Sequence, residues 1–116
     1  MPGLGIALTA SLLSLAGSEW GPVARHDVYV QFRLSGVSGN GGCNQFAGAF
    51  SQDGSHVKIG PLSAEGKVCL PEIMAGDRDW MNLLQAAVTV EATLRLVVLK
   101  DASGAVLAKL LRRDFD

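Results

Sequence analysis

The stretch Gly39-Asn40-Gly41-Gly42-Cys43-Asn44-Gln45-Phe46-Ala47-Gly48 decides the reading of this chain, together with its only other cysteine, Cys69. Glycines this dense predict a tightly turned, irregular backbone, because glycine alone enters positive φ without a steric penalty. Directly behind them Phe46, Gly48 and Phe50 alternate with Ala47, Ala49 and Ser51, which is the period of a strand. A cysteine therefore stands at the mouth of a strand. Gly39, Gly41 and Gly42 are expected to permit the reversal, with Asn40 and Asn44 bonding the loop backbone.

Working outward, Val28, Val30, Phe32 and Leu34 alternate with Tyr29, Gln31 and Arg33, a half-buried strand. Residues 35–38 continue it into the glycine turn. Asp53-Gly54-Ser55 joins the Phe46 strand to Val57 and Ile59 as a hairpin. Leu94, Leu96 and Val98 begin a later strand whose other face, Arg95, Val97 and Leu99, is also largely apolar. Asp101-Ala102-Ser103-Gly104 then turns the chain into a last strand over 106–111. Residues 71–88 break this pattern: Ile73, Trp80, Leu84 and Ala87 recur at helical spacing, with Met81 and Val88 on the flank. Pro71 suits a first helical turn, while Gly76 is costly inside one. Asp77 is a good N-cap residue, so the regular helix is expected either from Pro71 or only from Asp77. Its apolar stripe needs a partner, and a curved antiparallel sheet supplies one.

The 116 residues suit one domain, with a net charge of −1 and 48% hydrophobic residues. No basic patch points to nucleic acid; even Arg112 and Arg113 are followed by Asp114 and Asp116. Residues 4–15, LGIALTASLLSL, are apolar and too short to span a bilayer, but right for the core of a signal peptide. Ser14-Leu15-Ala16 places small residues at the −3 and −1 positions of a cleavage site, although no basic residue precedes the apolar run. Residues 1–16 are thus read as a signal peptide or an N-terminal extension, and 17–116 as the domain. Leu15-Ala16-Gly17-Ser18 has the shape of a lipoprotein box with serine in place of the lipidated cysteine, so the chain as written is not lipid-anchored. In an exported chain an even pair of cysteines predicts a Cys43–Cys69 disulfide. It would close a loop of roughly 25 residues and contribute about 3 kcal/mol in the chain-entropy model.

These elements resemble the META domain family, to which HslJ-type bacterial heat-shock proteins belong. Gly17-Ser18-Glu19-Trp20 is similar to its G-x-x-W opening, and Ser38-Gly39 through Gly42-Cys43-Asn44 to Gly48 is similar to its sGxxGCNxyxG signature. Cys69-Leu70-Pro71 resembles its aCp element, and Asp77, Trp80, Met81 and Leu84 resemble its E-x-x-F-L-x-x-L helix. Asp77 departs from the usual glutamate, and Glu65-Gly66-Lys67-Val68 from the usual T-x-x-A. The resemblance covers residues 17–111. It implies a mainly β fold with one helix: a small, partly open antiparallel barrel closed by that helix. It also implies an exported periplasmic or secreted protein linked to stress or antibiotic tolerance, without enzymatic activity and acting through a protein partner in the envelope.

His26 and His56 are the only imidazoles, and neither stands where it pairs predictably with Cys43, so no catalytic residue is assigned. The Cys and His spacing fits no zinc motif, and no metal or cofactor is expected. No paired carboxylates suggest glycosidase work: Asp77 and Asp79 are read as helix-start acids favoured by the dipole. The glycine turn lacks the lysine and following helix of a P-loop. Trp20, Phe32, Phe46, Phe50 and Trp80 are assigned to the core. Two alternatives remain for function. One is an inhibitor of a cell-wall hydrolase such as lysozyme, acting through a protruding loop at 60–68; the other is a carrier of a small apolar ligand in the barrel mouth.

Overall fold

Alternation builds most of this structure, a computed structural model that describes residues 14–114. In β1 (Ser18–Gly21) and β2 (Val28–Phe32), Trp20, Val28, Val30 and Phe32 turn inward while Glu19, Tyr29 and Gln31 turn out. β3 (Gly36–Gly41), β4 (Gln45–Asp53) and β5 (His56–Ala64) continue the meander, followed by helix α1 (Pro71–Ala86). β6 (Thr89–Ala92), β7 (Leu96–Lys100) and β8 (Val106–Arg112) complete it, and β8 pairs with β1 to close an antiparallel barrel of eight strands. The expected mainly β barrel with one helix is therefore present among the described residues. Its ring is thinnest at β5–β6, where only His56 and Thr89 stand in register. That contact is flanked by Val57 N–H donating to Val88 O and Val90 N–H to Ser55 O, each at 2.8 Å.

The helix follows from that thin seam. Beyond His56 the long C-terminal half of β5 has no strand on its β6 side, and α1 lies there instead, with Gln85 Oε1 accepting the Leu62 N–H at 2.8 Å. Trp80, Leu84 and Ala87 enter the core, whose interior also holds Trp20, Phe32, Phe46 and Phe50. The Phe32 and Phe50 rings meet with centroids 4.7 Å apart. Opposite Ala49 the partner strand carries two residues, Gly60 and Pro61, a bulge. Gly60 there has φ +100°, and proline brings no N–H to leave unpaired.

Several expectations change. The glycine run is strand almost to its end: only Gly42 has positive φ, at 113°. Gly39 and Gly41 are small for another reason, since a Cβ at Gly39 would strike Tyr29 O and the Phe46 ring, and one at Gly41 the Asp77 carboxylate. The helix begins at Pro71, so Asp77 is in its second turn and is not a cap. Ile73 leaves the core stripe and is part-exposed. β6 was not foreseen. In β7 the interior is lined by Val97 and Leu99, while Leu96, and Leu94 just before the strand, face solvent. Residues 60–64 belong to β5, so the protruding loop is shorter, 65–70.

Most of the 1–16 segment lies outside the described residues. Leu15 does not, and it is 1% exposed in the core, with its N–H on Gln52 Oε1 at 2.8 Å. This places Leu15, on the leader side of the expected boundary after Ala16, in contact with the packed interior. Ser18 is buried as well: its hydroxyl donates to Leu15 O at 2.5 Å and accepts from Trp20 Nε1 at 2.6 Å. The hydroxyl that stands in the lipidated position is thus an internal bridge between the entering chain and the first core tryptophan.

Candidate functional site

The β3–β4 turn, the 65–70 loop and α1 converge on Cys43. Asn40 Oδ1 accepts the Gly42 N–H at 2.7 Å, which sets the turn. Cys43 and Cys69 are joined by a disulfide that ties this turn to the segment entering the helix. Beside it Asn44, 3% exposed, reaches both ways. Its Oδ1 accepts the Lys67 N–H at 2.6 Å, and its Nδ2 donates to Lys67 O at 3.2 Å and to Asp77 Oδ2 at 3.1 Å.

Asp77 completes the cluster from below. Its Oδ1 accepts the backbone N–H groups of Asn44 at 3.1 Å and Cys43 at 3.3 Å. The carboxylate is 4% exposed. It is tolerated there because three donors face it, which is the condition for burying a charge. Loop 65–70 gains two further ties at its start: Glu65 N–H donates to Gln45 O at 3.1 Å, and Gln45 N–H donates to Glu65 Oε1 at 2.9 Å. The Gln45 N–H, and after it Lys67 at 3.4 Å, hold the Glu65 carboxyl below the usual carboxylate range.

Of the signature residues, Gly39, Gly42, Cys43 and Asn44 are thus gathered around one corner. Gly48 lies further along β4, where a Cβ would strike Pro61 O. Trp20, Phe32, Phe46, Phe50 and Trp80 all lie in the core, and Trp80 also donates Nε1–H to Tyr29 O at 3.2 Å. His26 and His56 are exposed. The Cys43 sulfur is engaged in the disulfide and touches Lys67 O and Met74 Sδ. Among the described residues, no three His, Cys, Asp or Glu side chains gather as a metal site.

Two residues have roles beyond those expected from sequence. Asp77 is neither a cap nor a helix-start acid: its place three residues before Trp80 and seven before Leu84 puts it on the buried stripe, a signal present in the sequence. Arg113 was read as one half of a charge-balanced end. Only Arg112 behaves so, bonding Asp114 at 2.7 Å, whose carboxyl it holds low. The Arg113 guanidinium instead donates to four backbone carbonyls, those of Pro22, Arg25, His26 and Val28, and fastens the β1–β2 loop. Gly21 has no side chain where this guanidinium passes.

An eight-stranded meander with one helix laid across its seam, and a cross-linked turn held by a buried aspartate, define a small antiparallel-barrel domain. The chain belongs to the META domain family, whose pattern it matches over residues 11–114. A protein from Burkholderia xenovorans solved by NMR has a similar fold, with a TM-score of 0.69 at 17% identity over 87% of this chain and 85% of that one. No curated protein matches the sequence.

Proposed function

We propose that this is a non-catalytic domain of the bacterial cell envelope that contributes to stress or antibiotic tolerance by binding another protein. The observation that carries the reading is the disulfide-clamped corner built from Cys43, Cys69, Asn44 and Asp77. A disulfide of this kind persists where thiols are oxidised, outside the cytosol. Its cost in buried polar groups is met internally, which makes it a scaffold and not a reaction centre. Membership of the META family supports a small domain of the non-catalytic type.

In this reading the chain is exported, and any leader is cut upstream of Leu15. Among the described residues no helix is long and apolar enough to cross a membrane. A carrier role has less support, because Trp20, Phe32, Phe46 and Phe50 occupy the interior that a ligand would need.

The test is deletion of the gene in its own bacterium, with heat and antibiotic challenge and in-cell photo-cross-linking from exposed positions. Loss of tolerance, rescued by the wild-type chain and accompanied by one reproducible cross-linked partner in the envelope fraction, is the expected result. A reduced, cytosolic protein without phenotype or partner would overturn it.

A further inference from the structure

The outer face of β2–β5 is hollowed by the side chains along one register line. Gln31, Ser38, Ala47 and Ser63 stand opposite one another across the four strands, and the last three are small. The neighbouring line, Tyr29, Asn40 and Gln45, is taller, and Glu65 extends it through its bonds with Gln45. The small side chains floor an open groove of about 550 Å³, flanked by Tyr29, Gln31 and Arg33 of β2 and by Gln45 and Glu65. That volume falls within the range of small-ligand sites.

Both charged residues of the groove are already engaged. Arg33 Nη1 donates to Ser38 Oγ at 3.2 Å, while Glu65 accepts the Gln45 N–H and stands 3.4 Å from Lys67. Between them the lining is neutral. A single guanidinium offers little to a chain of phosphates, and a wholly apolar ligand would strand amides and hydroxyls from water. The Tyr29 and Ser63 hydroxyls and the Gln31 and Gln45 amides make no hydrogen bond to protein among the described residues. Each of these groups can both donate and accept, as ligand hydroxyls and amides require of a partner. Tyr29 adds a ring whose face suits the C–H face of a sugar. Ala47, two residues beyond Gln45 on the same side of β4, sets a methyl beside an amide. An acetamido group has the matching composition: one donor, one acceptor and one methyl.

We propose that the groove over Ser38, Ala47 and Ser63 binds a neutral oligosaccharide bearing acetamido groups. One sugar ring stacks on Tyr29, ring hydroxyls bond Gln31 and Ser63, and an acetamido group bonds the Gln45 amide with its methyl over Ala47. Barrels of the OB type likewise hold oligosaccharides on a strand face. The site lies on the outer wall, apart from the filled interior, and does not depend on the protein contact proposed above.

The experiment is a calorimetric titration of the purified, oxidised chain with tetra-N-acetylchitotetraose, followed by amide chemical shifts. Cellotetraose, the same backbone with hydroxyls in place of the acetamido groups, is run in parallel. Expected is saturable binding of the acetylated sugar, with shift changes centred on residues 29–33, 38–40, 45–47 and 63–65. Cellotetraose should bind about 10-fold more weakly or worse. Ala47→Lys fills the floor at an exposed position and should abolish binding with an unchanged melting temperature. Tyr29→Ala should weaken binding about 10-fold, and Gln45→Ala should narrow the gap between the two sugars. No saturable binding, equal affinity for cellotetraose, shift changes centred elsewhere, or full binding by Ala47→Lys would each overturn the proposal. The cross-linked protein partner is scored separately, so failure here leaves the protein-contact reading standing.

Discussion

Asn44 and Asp77, 33 positions apart in sequence, are joined by two hydrogen bonds, one from the Asn44 backbone N–H and one from its amide, each 3.1 Å long. The pair fixes the β3–β4 turn to the helix and, through Lys67, to the exposed loop. Removing the carboxylate leaves the buried Cys43 and Asn44 backbone N–H groups with no acceptor and takes one of the two oxygen acceptors of the Asn44 amide. Asp77→Ala is expected to cost about 2–3 kcal/mol, read as a lower urea midpoint with unchanged slope. Asp77→Asn should restore only part of it, since its Oδ1 can still accept the Cys43 and Asn44 backbone N–H groups while its NH2 would face the Asn44 amide donor.

The two cysteines offer a second check. Their chain separation of 26 residues gives about 3 kcal/mol of stabilisation from loop entropy. Cys43→Ser combined with Cys69→Ser should lower stability by that amount in denaturant titration. An unchanged midpoint would mean that the Asn44–Asp77 contacts alone hold the corner.

Gly76 and Gly39 should respond in opposite ways to alanine. At Gly76, inside α1, a new Cβ meets nothing within 4 Å, so Gly76→Ala should stabilise by about 0.5–1 kcal/mol through helix propensity. At Gly39 the added methyl meets the Tyr29 carbonyl and the Phe46 ring. Gly39→Ala should therefore destabilise strongly or fail to fold, as judged by near-ultraviolet dichroism.

Acid should weaken the fold in a definable way. Asp101 Oδ1 accepts from the Ser103 hydroxyl at 2.7 Å, the Ser103 N–H at 2.9 Å and the Ala105 N–H at 3.0 Å. Its carboxyl is held low, first by the Ser103 side chain and then by the Ala105 backbone. A depressed folded value means that the contribution is present above the ordinary aspartate range, about pH 4, and is lost as pH falls through the folded value. Melting temperature should therefore drop on acidification, and Asp101→Asn, which can keep accepting the two N–H bonds, should show a shallower drop.

Arg113 tests whether geometry or charge matters at the β1–β2 loop. A planar fork can serve several carbonyls at once, whereas an ammonium cannot hold the same spread of acceptors. Arg113→Lys should thus resemble Arg113→Ala in thermal stability, with proteolysis localised to residues 22–27.

What could be read from the sequence was local. Phe46 and Phe50 announce a strand by alternation, Asp53-Gly54 announces a hairpin, and Trp80 with Leu84 announces a helix, because each signal lies within a few residues. What could not be read depends on distant partners. Gly39 and Gly41 look like turn residues until Tyr29 and Asp77 are seen to press against them. Asp77 looks like a cap because its donors, Cys43 and Asn44, come from another part of the chain. β6, Thr89–Ala92, is four residues long with no turn motif before it, and it exists only because β7 pairs along its whole length. Leu15 falls in an apolar run that reads as a leader, and the interior it packs into is built by strands distant in sequence.

The single His56–Thr89 register pair at β5–β6 leaves the ring with a zipper that can part without unravelling any other ladder. Amides at Val57 and Val90, which straddle this join, should exchange with deuterated solvent sooner than those of β2 and β3. Thermal opening would then swing α1 outward as a flap, still tethered at its leading end by Cys69.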